Sequence, residues 1–236
     1  LSNLNADLIS LNEIIYGNVY SRGYRGKFYN TAQIIQNYLQ LLTGHKYCLC
    51  LKKIGLWKDG EKLANAILSK YPSLTQDSIK LTTTDKWPAP YDQRNCIFAK
   101  IKIPGKKFVN FFATHTMGWD SSDTLKQIKE VKNFIISKRD ENIFAEIVAG
   151  DLNLFPNHKH FKNWLSGKPS LVDSYSYVND LDENVLDYIL IGKENPILKS
   201  CDIKSGIIFA NNYWENIFFP KVSDHKGVVT KFYLKN

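Results

Sequence analysis

The stretch IVAGDLN at residues 147–153 decides the fold and indicates where a site lies. Its first three residues are apolar and of strand type, and a glycine, a carboxylate, a spacer and an amide follow them. Polar groups that cluster where an apolar strand ends are typical of α/β folds, which carry their functional residues on the loops beside a rigid scaffold. The stretch therefore predicts a buried strand whose end brings Asp151 and Asn153 into a site.

Four further stretches follow a similar plan. Apolar runs of strand type lead into Glu13 and into His115, while Asp224 and His225 come just before the last apolar run of the chain. Asp187 lies within an apolar strand, where a carboxylate needs a partner to compensate for its burial. Taken singly, a strand-end carboxylate, a Gly-Asp turn and a Ser-Asp-His triplet each have an ordinary structural explanation.

Together these side chains suit one chemistry. A hard cation such as Mg²⁺ or Mn²⁺ takes oxygen ligands, and four side chains offer them: Glu13, Asp151, Asn153 and Asp224. Two histidines, His115 and His225, supply a base for water and a donor to a phosphoryl oxygen. The set predicts metal-assisted attack of water on a phosphate ester.

Apolar runs of strand length recur along the whole chain, and few segments have helical periodicity. The runs cover residues 7–11, 47–51, 63–68, 96–103, 108–114, 143–149, 185–191 and 228–234. Apolar residues at i, i+3 and i+4 spacing predict helices over residues 31–42 and 125–135, and a shorter helix is expected over 158–165. Many strands with few helices between them predict an α+β or α/β sandwich.

Composition excludes several classes of protein. With 236 residues, 44% hydrophobic and 23% charged, the chain is not a disordered tail, a coiled coil or a collagen-like fibre. No apolar run approaches the roughly 18 residues that a membrane-spanning helix needs, no signal-peptide pattern opens the chain, and the compartment is left open. The net charge of +8 favours a polyanionic partner, with solubility alone as the alternative. Four sparse cysteines leave the disulfide state open.

The ordered series of motifs resembles the endonuclease/exonuclease/phosphatase superfamily. The motifs are Asn12-Glu13, Thr114-His115, Gly150-Asp151-Leu152-Asn153, Leu186-Asp187-Tyr188 and Ser223-Asp224-His225. They span nearly the whole chain, and their order and strand context both agree with that group. The resemblance implies a DNase I-like, four-layer α/β sandwich in which two packed mixed β-sheets are flanked by helices. It also implies one domain over residues 1–236, with the site at the end of the sheets.

The resemblance gives roles to the metal ligands and to the base. Glu13 would be a principal ligand of Mg²⁺ or Mn²⁺, and Asp224 would lie at or near the metal. His225 would act as the general base, held by Asp187.

Five further residues would act on the substrate or on the attacking water. Asp151 and Asn153 would orient the water and the phosphate, and His115 would donate to the scissile phosphate or protonate the leaving group. Arg94 and Asn65 are expected in the substrate-binding part of the site, Arg94 on a phosphate and Asn65 in support of His115. An ordinary surface charge on an edge strand is the alternative for Arg94.

One feature departs from the superfamily pattern. The superfamily begins with a strand that carries an Asn near the metal, whereas this chain begins close to the helix end that precedes the Glu13 strand. Asn3 and Asn5 lie too close to Asp7 to be that residue. We expect the sequence to be a fragment lacking the first strand, the alternative being a site with one ligand fewer.

Subfamily features narrow the substrate. Residues 157–220 contain no Trp-Cys-Asp-Arg-type segment, which argues against an inositol-polyphosphate 5-phosphatase, and Thr114-His115 argues against an abasic-site endonuclease. A nuclease, a sphingomyelinase-like phospholipid phosphodiesterase and a hydrolase of small phosphoesters remain open. A non-catalytic binding module is a further alternative, and the complete set of polar residues argues against it.

Nucleic acid is the favoured substrate. Basic and aromatic residues interleave over residues 16–29, just after Glu13, in a pattern suited to phosphate neutralisation and base stacking. A loop anchored in the core with surface Lys and Arg is the ordinary explanation. Trp87 and Trp119 support the phospholipid alternative, because exposed aromatic side chains insert at a membrane interface. We expect a monomer.

Overall fold

The computed structural model describes residues 5–19, 27–56, 62–83, 93–117, 122–174, 186–208 and 227–235. Within these ranges the strands are β1 (Leu8–Val19), β2 (Lys27–Asn30), β3 (Cys48–Leu56), β4 (Lys62–Ser69), β5 (Ser73–Leu81), β6 (Arg94–Ile103), β7 (Lys107–His115), β8 (Ile143–Asp151), β9 (Leu171–Asp173), β10 (Asp187–Gly192), β11 (Cys201–Ile208) and β12 (Gly227–Leu234). The helices are α1 (Thr31–Thr43), α2 (Ser122–Ser137), α3 (Phe161–Leu165) and α4 (Pro196–Ser200).

The larger sheet has six strands in the order β5-β6-β7-β8-β10-β9. Its central pair, β7 and β8, is parallel, and the other described pairs are antiparallel, so the sheet is mixed. The hairpin between β6 and β7 turns at Pro104–Lys106, where Gly105 has a φ of +77° that glycine adopts without strain.

A smaller sheet has four strands in the order β2-β1-β4-β3 and packs face to face on the larger one. Strands β11 and β12 form a separate two-stranded antiparallel sheet. The described pairs of the four-stranded sheet are all antiparallel, so only the six-stranded sheet is mixed as predicted. Between the six-stranded and four-stranded sheets lies a core to which the four-stranded sheet contributes Cys50 and Ile67, and the six-stranded sheet Ile97, Phe111 and Ile147. Strands β6, β7 and β8 are buried on both faces, which explains their nearly continuous apolar sequences.

Helices cover the outer faces of both sheets. Helix α2 packs Ile128, Val131 and Ile135 onto the six-stranded sheet together with Trp164 of α3. Helix α1 packs on the outside of the four-stranded sheet through Leu39. The order helix, sheet, sheet, helix gives four layers, and the predicted four-layer α/β sandwich is confirmed.

Each predicted strand and helix has a counterpart in the structure, but β1 and β3 run well beyond the predicted ranges 7–11 and 47–51. The sequence did not reveal the short or largely polar strands and the last short helix, namely β2, β5, β9, β11 and α4. The predicted third helix is shortened to α3. The apolar stripe predicted for α1 consists of Ile34, Ile35, Tyr38, Leu39 and Leu42. Only part of it is buried, because Leu39 and Ile35 pack on the sheet whereas Ile34, Tyr38 and Leu42 are exposed.

All four cysteines are described, and all are free thiols. Burial raises the pKa of the Cys50 thiol to about 11 and also raises the pKa of the Cys96 and Cys201 thiols. In the described part of the chain, no helix has the length and apolar character needed to cross a membrane.

Candidate active site

Neighbouring strands of the six-stranded sheet align polar residues along one edge. Asn95 of β6 pairs in register with His115 of β7, His115 with Asp151 of β8, and Asp151 with Asp187 of β10. Directly opposed residues on adjacent strands have Cβ atoms about 4.5–5.5 Å apart. The register alone therefore brings the predicted imidazole and both carboxylates side by side.

A β-bulge brings Glu13 to the same place from the other sheet. The pairing of β1 with β4 shifts register between Leu11 and Ile14, so that Asn12 and Glu13 together oppose Asn65. Glu13 has a φ of +51°, and its backbone N–H donates to Asn65 Oδ1 over 3.2 Å. Bulges often redirect side chains beside active sites, and this one directs the Glu13 carboxylate toward the edge of the larger sheet.

The Glu13 carboxylate contacts a cation and an imidazole. Its Oε1 lies 3.3 Å from Arg94 Nη1 and 3.4 Å from His115 Nδ1, and the same Arg94 nitrogen lies 3.2 Å from His115 Nδ1. Glu13 keeps 40% of its side chain exposed, whereas Arg94 and His115 are buried. Glu13 is therefore the member of this group that solvent reaches.

The other nitrogen of His115 faces the polar end of β8. His115 Nε2 lies 2.8 Å from Asn153 Nδ2 and 3.4 Å from Asp151 Oδ2. Each ring nitrogen thus has a nitrogen donor and a carboxylate oxygen close by, so a proton on either nitrogen has an acceptor. This environment suits a side chain that donates to a phosphoryl oxygen or to a leaving group.

The turn after β8 is fixed by its own side chains. Asn153 has a φ of +51°, a conformation that Asn tolerates better than most residues, and its backbone N–H donates to Asp151 Oδ1 over 2.7 Å. The Asn153 side chain also donates to the Thr116 carbonyl over 2.9 Å. Asp151 and Asn153, which are predicted to orient the water and the phosphate, are therefore each held in one orientation.

A buried tyrosine lies next to these carboxylates. Tyr188 donates its hydroxyl proton to the Leu154 carbonyl over 2.6 Å. Burial raises the pKa of Tyr188, and the carboxylates of Asp173, Asp151 and Asp187 raise it further. The phenol is therefore neutral and acts as a structural donor beneath the edge.

The structure brings together most of the predicted site residues and leaves two undescribed. Glu13, Arg94, His115, Asp151 and Asn153 form one connected group, with Asp187 beside Asp151. Asp224 and His225 lie outside the described residues.

Asn65 does not lie in the substrate-binding part of the site, where it was expected. It has no exposed surface, and its hydrogen bonds go to the Glu13 backbone and to Asn95 Oδ1. Asn65 therefore lies beneath Glu13 and not on a substrate-facing surface. Asn95 was missed, because its role depends on a contact between sheets that no local pattern reveals. Asn12 belongs to the Asn12-Glu13 motif, but no role was predicted for it.

The donors around Glu13 fit a hard divalent cation. In the residue that precedes Glu13, the side-chain oxygen Asn12 Oδ1 is buried and has no hydrogen-bond partner among the described residues. An amide oxygen and a carboxylate are ligands that Mg²⁺ and Mn²⁺ accept. In the described ranges, no group of three or more His, Cys, Asp or Glu side chains forms a metal cluster, and the second predicted ligand, Asp224, lies outside those ranges.

Comparison with known proteins gives structural likeness without close sequence likeness. The sequence matches no protein-family model and no curated protein. An endonuclease/exonuclease/phosphatase family protein from Leptotrichia buccalis has a TM-score of 0.72 at 19% identity, over 100% of this chain and 89% of that one. An endonuclease/exonuclease/phosphatase from Beutenbergia cavernae has a TM-score of 0.68 at 17% identity, over 99% of this chain and 64% of that one.

The catalytic domain of human nocturnin, solved with a bound sulfate anion, has a TM-score of 0.62 at 15% identity, over 97% of this chain and 82% of that one. At these identities the likeness concerns the fold. The chain has the fold of the endonuclease/exonuclease/phosphatase superfamily, as its motifs predicted.

Proposed function

We propose that the protein is a divalent-metal-dependent phosphoesterase that hydrolyses phosphodiester bonds. The observation that carries the proposal is that His115 contacts carboxylates from both sheets. Its Nδ1 lies 3.4 Å from Glu13 Oε1 of the four-stranded sheet, and its Nε2 lies 3.4 Å from Asp151 Oδ2 of the six-stranded sheet. A solvent-reachable carboxylate beside a buried imidazole and a second carboxylate is a set that metal-assisted phosphate hydrolysis uses. The superfamily fold supports the same reaction class.

In this proposal the metal is Mg²⁺ or Mn²⁺, held by Glu13 and Asp224, with Asn12 Oδ1 as an additional oxygen. When bound, such a cation polarises a phosphoryl oxygen and stabilises the charge that develops during the attack of water. The chain's own residues would do the rest. Asp151 and Asn153 orient the water and the phosphate.

Proton transfer and phosphate contact fall to the remaining residues. His225, held by Asp187, takes the proton of the attacking water, and His115 donates to the phosphate or to the leaving group. Arg94 lies next to both Glu13 and His115, so it would contact a phosphate that is bound beside them. Because Arg94 is always charged and donates through a planar fork, it suits a phosphate oxygen.

Nucleic acid is the proposed substrate. The net charge of +8 favours a polyanion. Three exposed lysines, Lys52, Lys53 and Lys62, lie on β3 and β4 at the end of the four-stranded sheet where Glu13 lies. Lys53 Nζ stands 4.8 Å over the Tyr16 ring, which places an aromatic side chain beside this charge. Arg22, Arg25, Trp87 and Trp119 lie outside the described residues.

The test is a substrate panel with Mg²⁺ or Mn²⁺ on plasmid DNA, RNA, sphingomyelin vesicles and bis-p-nitrophenyl phosphate. We expect cleavage of DNA or RNA whose KM rises steeply with salt, because neutralised phosphates release counterions. The Arg22→Ala/Arg25→Ala variant should flatten that salt dependence and leave hydrolysis of the small diester nearly unchanged. The matched control is Lys126→Ala/Lys129→Ala, which removes the same charge from exposed positions of α2.

Two results would contradict the proposal at different levels. Release of phosphocholine from vesicles with DNA and RNA left intact would replace nucleic acid by phospholipid as the substrate. A protein that binds these substrates but hydrolyses none of them with either metal would be a binding module.

A further inference from the structure

Two asparagine side chains form a buried bridge between the two β-sheets. Asn65 lies on β4 of the four-stranded sheet, and Asn95 lies on β6 of the six-stranded sheet. Asn65 Nδ2 donates to Asn95 Oδ1 over 2.7 Å, and the two residues are 0% and 4% exposed. The core between these sheets is otherwise mainly apolar, so a direct polar contact across it needs a physical reason.

On one side, the bridge ends on the backbone of Glu13. Asn65 Oδ1 accepts the Glu13 N–H over 3.2 Å, at the bulge where Asn12 and Glu13 together oppose Asn65. The φ of +51° at Glu13 is unfavourable for a residue with a Cβ and persists only where the surroundings hold it. This hydrogen bond is such a restraint.

On the other side, the bridge ends on the strand next to His115. Asn95 pairs in register with His115, and the Asn95 carbonyl accepts a hydrogen bond from Thr114 Oγ1 over 3.1 Å. The backbone of Glu13 is therefore connected to the strand pair that carries His115 through two side-chain amides. The Glu13 carboxylate and the His115 ring, which come from different sheets, lie 3.4 Å apart above this connection.

We propose that Asn65 and Asn95 are a pair of positioning residues that set the place of the Glu13 carboxylate relative to His115. The inference rests on the proposed function and adds to it the device that brings the metal ligand of one sheet to the imidazole of the other. A pair needed only for stability would be replaced by apolar residues at little cost, since a net hydrogen bond stabilises a fold only modestly. The Asn65 amide instead holds the strained backbone of Glu13, the residue of β1 whose carboxylate is the proposed metal ligand.

The test compares Asn65→Ala and Asn95→Ala with Asn110→Ala. Asn110 is a fully buried asparagine of β7 whose side chain donates to the Lys138 carbonyl over 2.7 Å, so its loss also removes a buried hydrogen bond. The readouts are the Mn²⁺ dissociation constant by titration calorimetry, and kcat and KM on bis-p-nitrophenyl phosphate with saturating metal.

Residues that orient a metal ligand typically contribute about 10–100-fold in metal affinity or activity. We expect Asn65→Ala to weaken Mn²⁺ binding and lower kcat by factors in that range, and Asn95→Ala to weaken them less. Asn110→Ala should leave Mn²⁺ affinity at the wild-type value even where it lowers thermal stability. In a Glu13→Gln background, Asn65→Ala should add little further loss, because Asn65 acts through Glu13.

The outcomes separate this inference from the function on which it rests. If the wild-type protein neither binds Mn²⁺ nor hydrolyses the diester, the proposed function fails and the inference fails with it. If the wild type is active and Asn65→Ala matches Asn110→Ala in Mn²⁺ affinity and kcat, only the positioning role is overturned. Should Asn65→Ala not fold, Asn95→Ala decides by the same comparison, because it removes the bridge and leaves the Asn65 acceptor for Glu13.

Discussion

Asp151 and Asp187 stand directly opposite each other on the antiparallel strands β8 and β10. Like charges in directly opposed positions of a sheet destabilise it by a few tenths of a kcal/mol to about 1 kcal/mol. The proposed function explains why two carboxylates occupy this edge, since Asp151 orients the water and Asp187 holds the general base. The pair would lower stability and serve activity, a conflict that is common at active sites.

The first prediction is that Asp187→Asn separates activity from stability. The amide keeps the shape of the side chain and removes one of two directly opposed charges, so relief of their repulsion offsets the loss of contacts made by the Asp187 carboxylate. The free energy of unfolding should therefore change by no more than about 1 kcal/mol. Turnover should fall, by at most the ~10²–10⁴-fold of a general acid–base group, because the amide no longer stabilises the cationic form of His225. Urea unfolding and kcat on a diester measure the two effects.

The control for this variant is Asp202→Asn, which neutralises an exposed carboxylate of β11. It should change neither turnover nor stability appreciably. His225→Ala should lose at least as much turnover as Asp187→Asn, and the double variant should be barely worse than His225→Ala, because residues that act as a unit are not additive. Additive losses would give Asp187 a separate role.

The second prediction concerns Gly150, which lies next to Asp151 at the end of β8. Its φ is +141°, and a Cβ on it would lie 2.0 Å from the Thr114 carbonyl oxygen and 2.9 Å from Asn12 Nδ2. Neither atom can move away without breaking the β7–β8 pairing or the site. Gly150→Ala should therefore destabilise the protein by about 3 kcal/mol or more, or prevent folding. Thermal and urea unfolding measure the loss.

Gly206 of β11 offers a matched control, because a Cβ there would meet nothing within 4 Å. Gly206→Ala should be neutral or stabilise by up to about 1 kcal/mol, since glycine in a strand interior loses more conformational freedom on folding. A Gly150→Ala protein as stable as Gly206→Ala would show that the close approach of β7 and β8 is not required.

The third prediction is a pH dependence of stability caused by Lys132. This residue of α2 is 6% exposed, its Nζ donates to the Ser166 carbonyl, and burial lowers the pKa of its ammonium group to about 8. An unfolded lysine has a pKa of about 10.4. Between these values the unfolded chain binds more protons than the folded one, so the Lys132 contribution to stability rises from about pH 8 to about pH 10.

The measurement is the difference in free energy of unfolding between wild type and Lys132→Met, followed from pH 7 to pH 10. The variant removes the titrating group and keeps the length of the side chain, so other titrations cancel. Wild type should gain relative to the variant by an amount on the order of 1–3 kcal/mol, at about 1.4 kcal/mol per unit of pKa difference. A difference that stays flat over this range would mean that Lys132 is not desolvated.

The positions of most strands along the chain and the polar residues at their ends are predictable from sequence because both are local features. A strand buried on both faces, such as β8, is continuously apolar, and its polar end at Asp151 marks the sheet edge. Helix α1 shows where local reasoning fails. Its apolar residues lie on one half of the helix, so periodicity finds the helix, but the structure buries Leu39 of that half and leaves Tyr38 and Leu41 62% and 78% exposed.

Features that depend on pairing between strands are the ones that sequence patterns miss. At the bulge, Asn12 and Glu13 of β1 together oppose the single residue Asn65 of β4, and nothing in the local sequence marks this extra residue. The role of Asn95 likewise follows from a contact with the other sheet. Strand β5 is polar along most of its length because it is an edge strand, so its sequence resembles that of a loop.

The most direct test of the central claim is the metal dependence of hydrolysis in wild type and in Glu13→Gln. Activity on bis-p-nitrophenyl phosphate is measured after chelation and during titration with Mg²⁺ or Mn²⁺, with metal binding followed by calorimetry. We expect wild type to be inactive in excess chelator and restored by either metal, and Glu13→Gln to fold normally, bind metal more weakly and turn over far more slowly. Full wild-type activity in excess chelator, or a Glu13→Gln variant with wild-type metal affinity and turnover, would contradict the account.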